Sequence, residues 1–390
     1  MKADAREREA TAGDRGLRIA IVAHLAWGAM SGGSRGHVGG VERQTTLLAR
    51  WLASRGHDVS LLTWDEGQAD GVRVDGVRVL ALCRRDAGIP GLRFFHPRWT
   101  SLRAALARSE ADVLYHNCAE YVTGQVALWA RGHGRRFVYS VASDMDCDPA
   151  LPDLGSLRER LLYRYGLKRA DRVVVQTLAQ ARMLERGFDR PSVHIPMPCA
   201  GPATLVPRGL PEAPRVLWVG RITEVKRPDR LLEVAGACPE VHFDLVGPGD
   251  DPYAAHIRER AAGMDNVAVH PPAAREEIGR YYERGALLLC TSDREGFPNT
   301  FLEAWSHGLP VVSTVDPDGL IAGRGLGAVG GDVGTLASAL RDLLSASERW
   351  RAASAAARRY WKENHDAEVV LARFERLFGE VAGGPGARAA

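Results

Sequence analysis

The feature that most restricts this chain is an alternation that runs twice. From Leu17, short apolar runs take turns with segments of helical spacing. "LRIAIVAHL", "HDVSLLTW", "ADVLYHN", "RFVYSVAS", "DRVVVQTLA" and "PSVHIPMP" read as strands, and "GVRVDGVRVLAL" as a hairpin. "VERQTTLLARWLASRG", "TSLRAALARSE", "GQVALWARGHG", "SLRERLLYRYGLKRA" and "LAQARMLERGF" read as helices. In the first of these Val41, Leu47, Leu48, Trp51 and Leu52 share one side, and Gly56 is the stop. Cys199–Pro214 is rich in Pro, Gly and Ala, without periodicity, and reads as a linker. Then "RVLWVGR", "VHFDLVGPG", "VAVH", "ALLLCTS" and "PVVST" alternate with four further helical segments. The strand runs are apolar on both faces, as in a parallel sheet covered by helices. The expected class is therefore α/β, with two Rossmann-like doubly wound domains and ligands at the carboxyl ends of the strands and in the cleft between the domains. The expected boundaries are a disordered lead-in over 1–16, a first domain over 17–200, a linker over 201–214, a second domain over 215–365, a last helix over 366–381 and a flexible tail over 382–390.

A chain of 390 residues is too long for one comfortable core and long enough for two. At 45% hydrophobic and 25% charged it has the composition of an ordinary globular protein. Net charge is only +3, but it is uneven. Residues 1–200 hold 29 basic and 22 acidic side chains, and the remainder 22 and 26. A basic first half points to an anionic partner there, either a membrane surface or a phosphorylated acceptor. Nucleic acid is not expected, because there is no dense basic run, zinc-finger spacing or aromatic RNA-binding signature. Six dispersed cysteines without a CxxC read as reduced, mostly buried thiols of a cytoplasmic protein. "MKADAREREATAGDRG" lacks the apolar core of a signal peptide, and no stretch has the length and apolarity of a membrane span.

Three motifs carry chemistry. In "LWVGRITEVKRPDRLL" a strand ends at Gly220, and Arg221 and Lys226 follow before a helix. A planar fork of donors and a point charge beside a helix N-terminus suit a pyrophosphate, although a solvated basic loop reads the same way. In "REGFPNTFLEAWSHGLPVVST", Glu295 leaves a strand end and Glu303 lies one to two turns into the next helix. Each carboxylate accepts two hydroxyl hydrogen bonds, which suits a vicinal diol on a ribose or hexose. The bland alternative is an exposed Glu and a helix-favouring Glu near a positive dipole end. In "SGGSRGHVGGVE", Gly39 and Gly40 precede the first helix in a long glycine-rich loop, Ala26 to Gly40, that reads as a lid, an acceptor loop or plain disorder.

In this order, "GGVE", "VGRITEVKRPDRLLEV", "LVGPG" and the E-x7-E block "REGFPNTFLEAWSHGLPVV" resemble the family 4 retaining glycosyltransferases of the GT-B fold, over roughly Leu17 to Phe378. The resemblance implies hexose transfer with retention, from a UDP- or GDP-linked sugar to a glycan or lipid-linked acceptor, as in polysaccharide assembly. It implies that Arg221 and Lys226 clamp the donor diphosphate, that Glu303 binds the ribose and that Glu295 faces the sugar. Gly296, Phe297, Asn299 and Thr300 would complete the donor site. Gly39 and Gly40 would line the diphosphate, and Gly247 and His270 would approach the base. No metal is implied, because Arg221 and Lys226 stabilise the leaving diphosphate. The last helix would cross back to the first domain. The leaving phosphate would take the acceptor proton, so that Glu295 need not be a nucleophile.

The chain departs from the family pattern twice. The histidine often found at a late strand end of the first domain is absent from "FVYSVASDMDCD". Ser143 and Asp144, or His116 on the preceding strand, are the acceptor-side candidates in its place. Pro298 removes a backbone N–H that the family often offers. "GLRFFHPRW", Gly91 to Trp99, reads either as a segment that rests peripherally on the inner face of the membrane or holds a lipid-linked acceptor, or as a buried loop. The rival functions are a nucleotide-sugar epimerase, a dinucleotide-dependent oxidoreductase whose glycine fingerprint is missing, and a non-catalytic binding module.

Overall fold

The computed structural model describes residues 16–32, 39–202, 209–272 and 275–383. Residues 1–15 of the lead-in, 33–38 of the glycine-rich loop, 203–208 of the linker and the tail from 384 lie outside the described residues. The chain divides into two units, Met1–Met197 with Leu371–Ala390, and Pro198–Val370.

The first unit is built on an eight-stranded sheet. Its strands are β1 (Arg18–Val22), β2 (Asp58–Thr63), β3 (Arg73–Val74), β4 (Val77–Ala81), β5 (Val113–Asn117), β6 (Arg136–Ser140), β7 (Arg172–Val175) and β8 (Val193–His194). They lie in the order β3-β4-β2-β1-β5-β6-β7-β8. Every pairing is parallel except the β3–β4 hairpin. Asp75 and Gly76 both have positive φ there, 49° and 82°, as a tight two-residue hairpin turn requires. The crossover helices are α1 (Gly40–Ser54), α2 (Thr100–Ser109), α3 (Tyr121–Gly132), α4 (Leu157–Arg169) and α5 (Leu178–Phe188). Ile19, Ala20, Ile21 and Val22 of β1 are all buried in succession, so helices cover both faces of the sheet. α3 and α4 meet at two glycines: a Cβ on Gly124 would stand 2.3 Å from the Leu162 carbonyl oxygen, and one on Gly166 2.5 Å from that of Thr123. The chain steps outward from β1 to β2 and β4, then returns to β5 on the other side. That reversal puts the crevice of a doubly wound sheet at the carboxyl ends of β1 and β5.

The second unit has a six-stranded parallel sheet of β9 (Arg215–Val219), β10 (His242–Val246), β11 (Val267–His270), β12 (Leu287–Cys290), β13 (Val311–Ser313) and β14 (Gly327–Val329). The order is β11-β10-β9-β12-β13-β14, so the reversal falls between β9 and β12. Its helices are α6 (Pro228–Ala237), α7 (Pro252–Ala262), α8 (Arg275–Arg284), α9 (Asn299–Ser306), α10 (Val333–Ser345) and α11 (Ser347–Asn364). β14, α10 and α11 were not among the elements expected from sequence. The last helix, α12 (Ala367–Ala382), runs across the division between the units. Within the first unit, its Phe374 and Phe378 lie against Tyr115 at ring distances of 6.0 and 5.7 Å, and its Glu375 meets His57 Nε2 at 2.9 Å.

None of the six cysteines forms a disulfide. Among the described residues no helix is long and apolar enough to cross a membrane.

Gly247, just after β10, fixes the local geometry of the second unit. A Cβ there would stand 1.8 Å from the Gly220 carbonyl oxygen. The loops after β9 and β10 are zipped beside it, with Gly220 N–H donating to Val246 O (3.1 Å) and Ile222 N–H to Pro248 O (2.8 Å). Gly247→Ala must part that zip. We expect a stability loss of about 2 kcal/mol or more, read as a lower urea midpoint, because backbone oxygen cannot move aside as a side chain can.

Candidate active site

The loops that follow β9 and β12 build one hydrogen-bonded group at the reversal point of the second sheet. Trp218 of β9 donates its indole N–H to Thr291 Oγ1 (2.9 Å), and that hydroxyl donates to Lys226 O (2.9 Å). Asp293 N–H donates to Val225 O (3.0 Å). Arg230 of α6 spans the same gap, donating to Thr291 O (2.9 Å) and to Asp293 Oδ1 (3.0 Å). These bonds hold the short turn Glu224–Lys226 against the segment 291–295. Lys226 Nζ then donates to Glu295 Oε1, which also accepts from Ser292 Oγ at 2.6 Å. Ser292 is itself held from the residue after β13, where Thr314 Oγ1 donates to its carbonyl (2.6 Å). The Glu295 side chain keeps 13% of its exposure and Lys226 28%, so the pair is accessible yet little diluted by solvent.

Glu303 sits on α9, which begins directly after this loop. Tyr282 of α8 donates its phenol hydrogen to Glu303 Oε2 at 2.7 Å. Burial, and then Glu303 itself, push the Tyr282 phenol well above its ordinary range, so it stays protonated and remains a donor. The carboxylate is thus oriented from inside the unit. Arg221 is exposed at the end of β9, and its side chain has no hydrogen bond or ion pair among the described residues.

The remaining donor-side residues divide. A Cβ on Gly296 would meet nothing within 4 Å, so no internal packing calls for glycine there. Phe297 packs on His365 and Trp305, with ring distances of 5.3 and 6.1 Å. Pro298 is buried and caps α9, whose first turn contains Asn299 and Thr300. Gly247 is explained by its contact with Gly220, as above. His270 stands on the edge strand β11 and pairs with Asp244 Oδ1 at 2.7 Å. Burial opposes the charge on Asp244, but Arg215, bound through two nitrogens, and His270 hold its carboxyl below the usual range. Among the described residues this triad shares no hydrogen bond with the Lys226–Glu295 group.

In the first unit, Gly39 N–H donates to Glu42 Oε2 (3.0 Å), which closes the start of α1 on itself. His116 is 3% exposed, and its Nδ1 meets Val22 O at 2.8 Å. Ser143 Oγ donates to Asp146 Oδ1 (3.0 Å), and Asp144 Oδ1 accepts from the Gln180 amide (3.0 Å). Asp146 is the central acid of that loop. It accepts from Ala142 N–H (2.8 Å), and its backbone carbonyl accepts from Tyr163 Oη (2.7 Å). Burial raises its carboxyl against those bonds.

Sequence reasoning passed over Asp146, His24 and Glu120. His24 follows β1, stacks on Trp64 at 4.1 Å and approaches Glu120 Oε2 at 3.7 Å. Glu120 follows β5, and its carboxyl is lifted to about 7, by desolvation first and then by Glu42 and Asp146. The signal that would have found them is position: each lies just beyond the carboxyl end of β1, β5 or β6, beside the reversal point. Among the described residues no group of three or more His, Cys, Asp or Glu is arranged to hold a metal.

The two sheets, each with polar side chains gathered where its strand order reverses, are the GT-B architecture. Residues 39–199 match the glycosyl transferase 4-like domain, and residues 213–346 match the glycosyl transferases group 1 domain. The chain belongs to the family 4-type glycosyltransferases. It is 28% identical to a D-inositol 3-phosphate glycosyltransferase of Mycobacterium bovis, over 96% of this chain and 86% of that protein. In fold it is similar to a sucrose-phosphate synthase from Thermosynechococcus elongatus, with a TM-score of 0.73 at 21% identity, covering 93% of this chain and 98% of the other. It is also similar to HepE of Anabaena, solved in complex with UDP-glucose, with a TM-score of 0.70 at 15% identity, covering 93% and 99%.

Proposed function

We propose that this glycosyltransferase moves a hexose from a UDP- or GDP-linked donor to a hydroxyl of a glycan, polyol or lipid-linked acceptor, with retention and without a metal ion. The observation that carries the reading is the Lys226–Glu295–Ser292 group at the β9/β12 reversal, with Glu303 one helix further on. Arg221 and Lys226 take the charge that develops on the leaving diphosphate, the role a metal plays elsewhere. Glu303 accepts the ribose hydroxyls, and Tyr282 holds it in place. Glu295, tied to Lys226 and Ser292, accepts from hydroxyls of the sugar. The bond from the anomeric carbon to the diphosphate breaks, the acceptor oxygen bonds on the same face, and the acceptor proton passes to the departing phosphate oxygen. The protein supplies position and charge rather than a nucleophile. The UDP-glucose bound in HepE and the name of the mycobacterial relative, which specifies a phosphorylated polyol acceptor, support a nucleotide-sugar donor and a hydroxyl acceptor.

The test is binding of UDP, GDP, ADP and NAD to wild type and Glu303→Ala by titration calorimetry. One nucleoside diphosphate is expected to bind wild type, with affinity falling about ten- to a hundredfold in the variant, as for loss of hydrogen bonds to a charged group. Binding of NAD alone, or affinity unmoved by the substitution, overturns the assignment. The anomeric coupling of the product, read by NMR, tests retention separately.

A further inference from the structure

The first unit carries an exposed apolar surface built from residues other than those of the Lys226–Glu295 group. Ile89, Leu92, Phe95, Leu157 and Leu161 are 68, 62, 59, 73 and 58% exposed. Single exposed apolar residues need no explanation, but these five belong to two segments that touch. The loop from Arg84 to Trp99 meets the start of α4, where the Arg158 guanidinium lies over the Phe94 ring at 4.1 Å. On α4, Leu157, Leu161, Arg164 and Lys168 follow one another at helical spacing along one exposed stripe, two apolar and two cationic. The opposite side of the helix is fixed on α3 through Gly166.

The same loop shapes an open cavity of about 500 Å³ lined by Arg84, Arg85, Arg93 and Arg98, with Asp65 and Asp86. Arg98 is anchored by donating to Arg85 O (2.8 Å) and by lying over Trp64 at 5.7 Å. Its Nε is buried and has no hydrogen-bond partner among the described residues. Four guanidinium groups against two carboxylates leave the cavity cationic, next to the exposed apolar tip of the loop.

We propose that this face docks the protein on an anionic phospholipid bilayer. The five apolar side chains enter the interface, and the arginine cavity receives a phosphate headgroup. Charge complementarity chooses an anionic bilayer: cations alternate with exposed apolar side chains, as on helices that lie in a headgroup layer, and the surrounding half of the chain is the basic one, with 29 basic against 22 acidic residues over 1–200. A cation near an anionic leaflet strengthens binding roughly fivefold.

The experiment is co-sedimentation of the full chain with phosphatidylcholine vesicles, plain or doped with phosphatidylglycerol. Sedimentation is expected with the doped vesicles and to fall about tenfold at high salt, as screening demands. The pairs Leu92→Asp with Phe95→Asp, and Leu157→Asp with Leu161→Asp, are each expected to reduce it by about tenfold or more. Arg84→Glu with Arg93→Glu should reduce it similarly. These side chains are exposed or line an open cavity, so circular dichroism and melting temperature should not change. Failure to sediment with doped vesicles, equal binding to plain ones, or binding indifferent to the variants overturns the proposal. So does a change of oligomeric state in the leucine variants, since a second copy would then cover the face. None of these outcomes bears on donor binding by the second unit.

Discussion

Lys226→Ala should lower kcat/KM for sugar transfer by about a hundred- to a thousandfold, the cost typical of removing one preorganised donor from a developing oxyanion. The Lys226 carbonyl is fixed by Thr291, and its ammonium by Glu295, so the charge is in place before any donor arrives. A diphosphate leaving the sugar gains negative charge at its bridging oxygen. A preset cation in a half-buried site stabilises that gain without reorganising. Removing the ammonium also leaves the Glu295 carboxylate with Ser292 but no counter-charge, in a position only 13% exposed. The carboxylate would then repel the diphosphate, and the two effects add. Lys226→Arg keeps the charge but not the reach, and should recover part of the rate. Glu295→Gln separates the roles, because it keeps an oxygen acceptor while releasing Lys226 from its ion pair. The reading fails if Lys226→Ala retains transfer within about fivefold of wild type, for which circular dichroism must first show an unchanged fold.

What the sequence revealed and what it hid follow different physics. Strands such as β1 and β12 were legible because doubly covered parallel strands are apolar at every position, and RIAIV and LLLC cannot be mistaken for surface. Arg221, Lys226, Glu295 and Glu303 could be singled out as candidates because their spacing from strand ends is short and local. β14 was missed because GAV is three residues long and set among glycines, and Gly327 has its Cβ position 1.9 Å from the Val311 carbonyl oxygen, a contact made only by pairing with β13. α11 was hidden because alanine fills the buried turns between Trp350 and Trp361, whereas α10 carries Leu336, Leu340 and Leu343 at ordinary helical spacing and was open to a sequence reading that stopped short of it. His270 was named only through the family resemblance, yet its neighbour across the sheet, Asp244, defines it, and sheet neighbours are invisible to local reading. The loop from Gly91 to Trp99 was open to two readings, and the exposure of Leu92 and Phe95 places it on the surface. Glu120 went unnoticed and Asp146 received no role for a related reason: burial raises both carboxyls, with Glu42 of α1 adding to Glu120, and only the fold assembles that burial.

The stability of the first unit should carry a pH dependence traceable to one histidine. Burial holds His116 down to about 4, and its hydrogen bond to Val22 O only partly opposes that. The other ring nitrogen, Nε2, is buried and has no hydrogen-bond partner among the described residues, so a second proton would be an unsatisfied buried charge. The folded pKa lies below the unfolded value near 6.5, so the unfolded chain binds the extra proton first. Above about 6.5 both states are neutral and the histidine costs nothing. As pH falls from there to about 4, folding loses about 3 kcal/mol, and below about 4 nothing further is lost. Neighbouring groups work in both directions. His24, held to about 3 by burial first and then by His116 and Arg98, adds to the acid loss. Glu120 and Asp146, both raised, offset it, because the folded state keeps their protons as pH falls. The wild-type profile is therefore a sum. Comparison with His116→Gln isolates one member, since glutamine has no charge at any pH and the other groups largely cancel in the difference. Urea unfolding at several pH values should show the variant's stability deficit at pH 7 shrinking, or reversing, by about 3 kcal/mol at pH 4. Parallel profiles would mean that His116 takes up its proton as readily when folded as when unfolded, and that the strand end at β5 is open to water.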